Sequence, residues 1–475
     1  MRESSTFDAL VIGAGVAGLF CATELADAGL RVGVLEARAC PGGRARSWHH
    51  AGMGLEVDVG PHVISSEHVH FMRMLRRVGT ATQVDWQPGI LVTLLEERRL
   101  LDVASVSWPP PLHLLANGPM TLRRLGVRAS LSHWPVIREA ARVDEAGLRA
   151  LDAVDAFSWL GSKGMAAEAI DWFWRSTLLS LLNVPLEECS AASALRIFRL
   201  MLGRSGYHFG FPRVGLSQLY VPGCSAAIRE RGGEVYTRSA VRALDVQDGF
   251  VRGVRLRSGA LLLAPWCILA LPPWHAAPLL ARTREPLLAP LQATARRFLG
   301  APYTSTVLAL DRRLGPRRFW ARVWDPEDLN TDFYDLANIR PELAGAGSVV
   351  ACNAIGPNAH PEWSEQAVVA RTLQELQDFA PAAREARVLG ASVHRIRGAV
   401  PQPRPGTETL RPGARTAVTG LLLAGDWTDT ALPCSMESAA RSAALAAEVI
   451  LQRTIALAPP ETYGLVGLLR SRRAK

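Results

Sequence analysis

An α/β fold is expected of this 475-residue chain, and three observations predict it. An apolar run from Phe7 leads into Gly13-Ala14-Gly15-Val16-Ala17-Gly18, a helical stretch follows to Ala28, and Val32 to Leu35 reads as a second strand closing on Glu36. Strand, glycine turn, helix and strand ending in an acid form the βαβ unit of a Rossmann-like nucleotide-binding domain.

Each part of the unit has a chemical reason. Gly13 permits the tight turn and Gly15 lets a pyrophosphate approach the backbone. Gly18 lets the helix pack on the strands, while N–H groups around Val16 and Ala17 at the helix start face the anion. Glu36 suits a ribose hydroxyl and disfavours a 2′-phosphate, so FAD or NAD is expected rather than NADP.

Glu36-Ala37-Arg38 continues to Pro41-Gly42-Gly43-Arg44-Ala45-Arg46-Ser47. This run resembles the second fingerprint of flavoproteins of the glutathione reductase 2 group, which includes amine oxidases, carotenoid desaturases and squalene-associated enzymes. The resemblance makes FAD the expected cofactor, with Glu36, Ala37, Arg38, Gly42, Gly43 and Arg44 beside it. Arg44 would pair with the diphosphate as a charge-assisted donor, against the plainer role of a solvated arginine.

Size and composition narrow the class. A hydrophobic content of 48% with 20% charged residues fits two globular domains around a large core. The net charge of +9 comes from scattered arginines, with Lys163 and Lys475 as the lysines, so nucleic acid is not an expected partner. Seven dispersed cysteines without a Cys-x-x-Cys pair point to free thiols in a reducing compartment, and Cys434 reads as a buried small residue. The His49-His50 and His68-x-His70 pairs lack companion ligands, so no metal is expected. The first strand starts by Phe7 and no apolar run reaches the ~18 residues of a membrane span, which makes a cytoplasmic protein the expectation.

Further along, Leu55 to Val59 reads as a strand entering Asp58-Val59-Gly60-Pro61-His62. In the flavoproteins that the chain resembles, this segment returns toward the isoalloxazine, which puts Pro61 and His62 near the ring and makes His62 the candidate acid or base. The competing role is a histidine that only fixes its loop. From Phe71 to about Ser205 the pattern reads as mainly helical, and its Trp172-Phe173-Trp174 stripe reads as core before ligand site. Phe211 to Tyr220 precedes a helix, and by the resemblance Val241 lies against adenine through its backbone. Val251 to Arg257 and Leu261 to Leu271 read as strands of a small attached sheet.

Apolar runs at Tyr303–Leu310, Arg318–Trp324, Phe333–Ile339 and Ser348–Ala354 have the spacing of an antiparallel meander, followed by a helix from Ser364 to Phe379. Leu421-Leu422-Leu423-Ala424-Gly425-Asp426 then reads as strand and turn, and Ser435-Met436-Glu437-Ser438 starts a closing helix. The resemblance sets Gly425 and Asp426 against the ribityl or diphosphate, and the backbone N–H groups of Met436 and Glu437 against the flavin pyrimidine. Ser438 stands where the family usually has glycine, so its β-carbon is a point to check. The expected organisation is an FAD-binding domain of 1–70, 206–275 and 395–457, a substrate-binding domain of 71–205 and 276–394, and an apolar then basic tail at 458–475.

Together these segments resemble the phytoene desaturase and squalene-associated flavoenzymes, above all hydroxysqualene dehydroxylases. Leu182-Asn183-Val184-Pro185, Pro212-Arg213-Val214-Gly215-Leu216-Ser217-Gln218-Leu219 and Ala424-Gly425-Asp426-Trp427-Thr428 carry the narrower likeness. The resemblance implies an oxidoreductase acting on a long isoprenoid lipid drawn from a membrane, with peripheral contact at its inner face and an electron partner that the sequence does not name. Reduced FAD would deliver hydride in a dehydroxylase; oxidised FAD would accept it in a carotenoid desaturase. A flavin amine oxidase and a non-catalytic prenyl-lipid carrier of the same fold are the remaining alternatives.

Overall fold

A computed structural model describes residues 7–96, 99–108, 112–202, 207–345 and 347–457. The 458–475 tail lies outside the described residues.

A five-stranded parallel sheet is ordered Glu234–Tyr236, Val32–Leu35, Ala9–Ile12, Trp266–Leu269, Leu421–Leu423. Its central strands are buried along their whole length, as apolar strands covered on both faces must be. The opening helix Val16–Asp27 packs against the closing helix Met436–Leu451. Ala439, Ala440, Ala443, Ala446 and Ala447 supply the shallow surface that lets the helices approach.

Leu261 to Leu271 is not one strand. Leu261–Leu263 stays in a small antiparallel sheet with Val241–Gln247 and Phe250–Leu256, whereas Trp266–Leu269 passes into the parallel sheet. The break falls at Pro265, which has no N–H to continue a ladder.

The second large sheet has seven strands, in the order Val388–Ile396, Tyr303–Leu310, Val349–Ile355, Asp332–Asp335, Phe319–Arg322, Ile90–Glu96, Arg99–Ala104. The expected meander is its centre, but the strand expected over Phe333–Ile339 ends at Asp335, whose Oδ1 accepts from the Ala337 N–H at 3.2 Å and turns the chain. Its last two strands correct the helical reading of 71–205. The β-branched and apolar run from Ile90 to Leu95 pairs with Arg99–Ala104 as a hairpin and extends the sheet.

Alternation divides this sheet into two faces. Leu308, Trp320, Phe333 and Val350 pack on the helix Glu365–Phe379. Val307, Phe319, Tyr334 and Ala351 point the other way, toward Val57, Phe211 and Ile339. A helical unit from Leu112 to Leu202 flanks the sheet, and Trp159, Trp174 and Phe198 fill its core.

Candidate active site

The opening turn is built around close approach. Gly13 has φ +105°, and a Cβ on it would meet the Ala270 carbonyl oxygen at 2.6 Å. A Cβ on Gly18 would collide with the Gly13 carbonyl. No side chain caps the opening helix at Gly15, so the N–H groups above Val16 and Ala17 remain for an anion. Gly42 donates its N–H to the Ala14 carbonyl at 2.8 Å, and a Cβ on Gly43 would lie 3.0 Å from the Gly15 Cα. Two glycine turns separated in sequence thus line one groove that side chains would fill, and a pyrophosphate fits that groove.

Glu36 is buried at the end of its strand, where its carboxylate accepts from the N–H groups of Ala14 (3.1 Å) and Arg38 (2.9 Å). The N–H groups of Arg238 and Ser239 bond the carbonyls of Arg38 and Glu36. Val241 opens the strand that follows this ladder.

The two ends of the chain meet at Arg44 and Asp426. The guanidinium lies 2.6 Å from the Asp426 carboxylate and also donates to the Ala399 carbonyl. Gly425, at φ +147°, donates its N–H to Ser442 Oγ at 2.7 Å, which fixes the turn that presents Asp426. Ser435 caps the closing helix beside Met436 by accepting from the Ser438 N–H. The Glu437 side chain takes a separate role: its carboxylate accepts from the N–H groups of His70 and Phe71, both at 2.9 Å, at the start of the helix Val69–Arg77.

Ser438 turns its hydroxyl inward. It donates to the Asp426 carbonyl at 3.1 Å and lies 2.6 Å from Thr430 Oγ1, so the hydroxyl is taken up inside the loop. Both contacts belong to a network around Arg411, a residue absent from the sequence reading. Its buried guanidinium donates to the carbonyls of Asp426 (2.8 Å) and Thr428 (2.9 Å) and pairs with Glu408. Glu408 in turn meets Arg196 of the helical unit at 3.1 Å. Nothing in the local pattern marks Arg411 among the scattered arginines.

His62 lies where its loop meets the seven-stranded sheet. Its Nδ1 is 2.7 Å from the Gly60 carbonyl, which holds the loop and makes Nδ1 the protonated nitrogen. Burial lowers its pKa, with the Gly60 bond pulling the other way, so the ring is neutral at pH 7 and Nε2 is an acceptor. Gly60 abuts Tyr303, whose Oη would lie 2.7 Å from a Cβ there. His62 and Pro61 line a small crevice, with room for about one water-sized group, together with Phe211, Tyr334, Ile339 and Arg340. Arg340 is buried and ion-paired with Asp58, while its Nε and Nη1 have no partner.

On the sheet face carrying Tyr303 and Tyr334, a polar row runs across three strands. Ser305, Asn353 and Asp332 are direct neighbours in register. All are buried, and Ser305 Oγ, Asn353 Oδ1 and Asp332 Oδ1 have no hydrogen-bond partner. Burial pushes the Asp332 carboxyl up to about 8, offset in part by a bond from the Asn353 amide. The available sequence signal was a polar residue inside a largely apolar strand, as with Asn353 in Val349–Ile355.

Comparison with known proteins agrees with this geometry. Residues 16–451 match the family of flavin containing amine oxidoreductases. A hydroxysqualene dehydroxylase of Zymomonas mobilis is 25% identical over 460 residues, covering 94% of this chain and 99% of its own length. A zeta-carotene desaturase of Capsicum annuum is 24% identical, covering 91% of this chain and 79% of its own length. The crystal structure of putrescine oxidase bound to putrescine has the same fold, with a TM-score of 0.71 at 18% identity over 94% of this chain and 100% of that one. The glycine groove, Glu36 and the Arg44–Asp426 pair fit FAD, and the chain belongs to the flavin containing amine oxidoreductase family as an FAD-dependent oxidoreductase.

Proposed function

We propose that the enzyme acts on a long isoprenoid lipid, and that its reaction is the reductive removal of the hydroxyl of hydroxysqualene to give squalene. The observation that carries this reading is the row of buried, unpaired oxygens on the sheet face that packs toward Val57, Phe211 and Ile339. A hydrocarbon would leave Ser305 Oγ, Asn353 Oδ1 and Asp332 Oδ1 unpaired, at about 1–3 kcal/mol each, whereas one hydroxyl on an apolar chain meets that pattern. The dehydroxylase relative, matched over nearly its full length, supports the same choice.

Reduced FAD, when bound, supplies the hydride. The chain's residues do the rest. The glycine groove, Glu36, Val241, Arg44 and Asp426 would hold the cofactor, and the backbone at Met436 and Glu437 would face its pyrimidine end. The apolar side chains around Tyr334 and Phe211 exclude water, and His62 fixes its loop with an acceptor nitrogen. An amine oxidase reading has less support: Lys163 ends a helix of the helical unit and is ion-paired with Glu139.

Peripheral membrane contact, in our reading, involves the helical unit. Leu115, Val127, Leu131 and Trp134 are each about two-thirds exposed (64%, 66%, 66% and 64%). From Val103 through Arg138 the sequence has no acidic residue but includes Arg123, Arg124, Arg128 and Arg138. An apolar surface among cations suits the anionic inner face of a membrane. Among the described residues no helix is long and apolar enough to cross one.

The test is anaerobic: reduce the enzyme's flavin, add hydroxysqualene in detergent, and follow oxidised-flavin absorbance while extracting the lipid. Reoxidation with squalene formed supports the proposal. A flavin that stays reduced with hydroxysqualene, while phytoene bleaches the oxidised enzyme, replaces it with desaturation.

A further inference from the structure

We infer that Asp332 is the proton donor of the site, giving its proton to the substrate hydroxyl that Ser305 and Asn353 hold against it. The inference rests on the hydroxylated-isoprenoid reading above. Its basis is placement. Asp332 pairs in register with Asn353, and Asn353 with Ser305, so the three side chains stand side by side on one face. Each presents an unpartnered buried oxygen there. The same face carries Tyr303, whose hydroxyl abuts Gly60, and Tyr334, which lines the crevice with His62.

His62 and Asp58, the other candidates in the site, are committed to partners within the protein. His62 is neutral with Nδ1–H committed to Gly60. Asp58 is ion-paired with Arg340 and also accepts from Ser47 Oγ at 2.6 Å. Around Asp332, Tyr303 and Tyr334 on the same face and Cys352 on a neighbouring strand are all held protonated, chiefly by burial. A buried carboxylic acid that keeps its proton at neutral pH is suited to general acid catalysis.

The step balances. The carboxyl O–H bond breaks as a new O–H bond forms on the substrate hydroxyl. The C–O bond breaks with its electron pair leaving on water, and hydride from reduced flavin supplies the pair for the new C–H bond. The substrate carbon is reduced by two electrons, the flavin is oxidised by two, and Asp332 is left as a carboxylate that solvent reprotonates.

The test compares wild type with Asp332→Asn, which keeps size and hydrogen bonding but has no acidic proton. Expected is a fall in kcat of roughly 100-fold or more with the Kd for hydroxysqualene changed less than about threefold. The wild-type kcat should decline as pH rises through about 8, and the variant should lose that limb. Infrared difference spectra provide a readout independent of turnover: a protonated-carboxyl C=O band in the wild type that titrates near the same pH and is missing from Asp332→Asn. Turnover by the variant at the wild-type rate, or a band that persists in it, overturns the assignment. A wild type that shows the band but does not turn over hydroxysqualene instead overturns the substrate reading, and the proton-donor role falls with it.

Discussion

The two faces of the seven-stranded sheet are made from the same strands, yet they differ in kind. On one, Leu308, Trp320, Phe333 and Val350 close against Leu376 and Phe379, with Thr304 and Asp335 further along the same strands bonded within the protein to the Ala359 carbonyl and to Ser348. On the other, alternate residues of the same strands place Tyr303, Ser305, Asn353 and Asp332 beside Tyr334 and Val307. The period-two geometry of a strand lets adjacent residues serve stability and chemistry separately. Leaving polar atoms unpaired weakens the fold, and on the second face a substrate hydroxyl would supply the missing partner.

The contrast can be broken most strongly from the dry side. Phe333→Ala removes a fully buried ring and should cost about 3–5 kcal/mol of stability, read as a fall in the unfolding midpoint. Flavin absorbance per folded molecule should remain that of the wild type.

The site face should behave in the opposite sense. An unfolded Asp332 releases its proton near 3.8, whereas the folded residue keeps it to about 8. Between these values the native state holds a proton that the unfolded state has lost, so stability falls as pH rises, by up to about 1.4 kcal/mol per pH unit. Asp332→Asn should remove this slope, melting higher than the wild type near pH 8 and converging with it below pH 4. Melting curves across that range test the sign.

Ser305→Ala sharpens the comparison further. The hydroxyl has no partner in the protein, so its loss should leave stability within about 1 kcal/mol or raise it. Affinity for a hydroxylated substrate should fall about five- to tenfold, corresponding to one lost hydrogen bond, with squalene binding unchanged; equilibrium binding of both lipids checks this. The smallest effect belongs outside both faces: Glu385→Ala breaks an exposed pair with Arg312 and should shift stability by no more than about 0.5 kcal/mol in a denaturant titration.

Much of the fold could be read before any coordinates because its signals are local. The βαβ unit and its closing acid are defined by spacing over some thirty residues, and the strand Tyr303–Leu310 and the helix beginning after Ser364 stand where the apolar pattern puts them. The misread elements depended on neighbours. The strand Ile90–Glu96 lies in a stretch read as helical, and Trp266–Leu269 changes sheet after a single proline. Which sheet accepts a short apolar run depends on the edges available, information that lies elsewhere in the chain.

By itself, then, the sequence determined the nucleotide-binding unit, the flavin that its glycines and Glu36 accommodate, and the return of the chain at Gly425-Asp426. Only the tertiary structure paired Arg44 with Asp426, placed Arg411 against the loop from Asp426 to Thr430 and turned Ser438 into it. It also decided that Ser305, Asn353 and Asp332 stand in one row. Strand register sets that alignment, and a shift by one residue would turn each of the three to the dry face. A residue's type is written in the chain, but its neighbour across a sheet is chosen when distant strands pair.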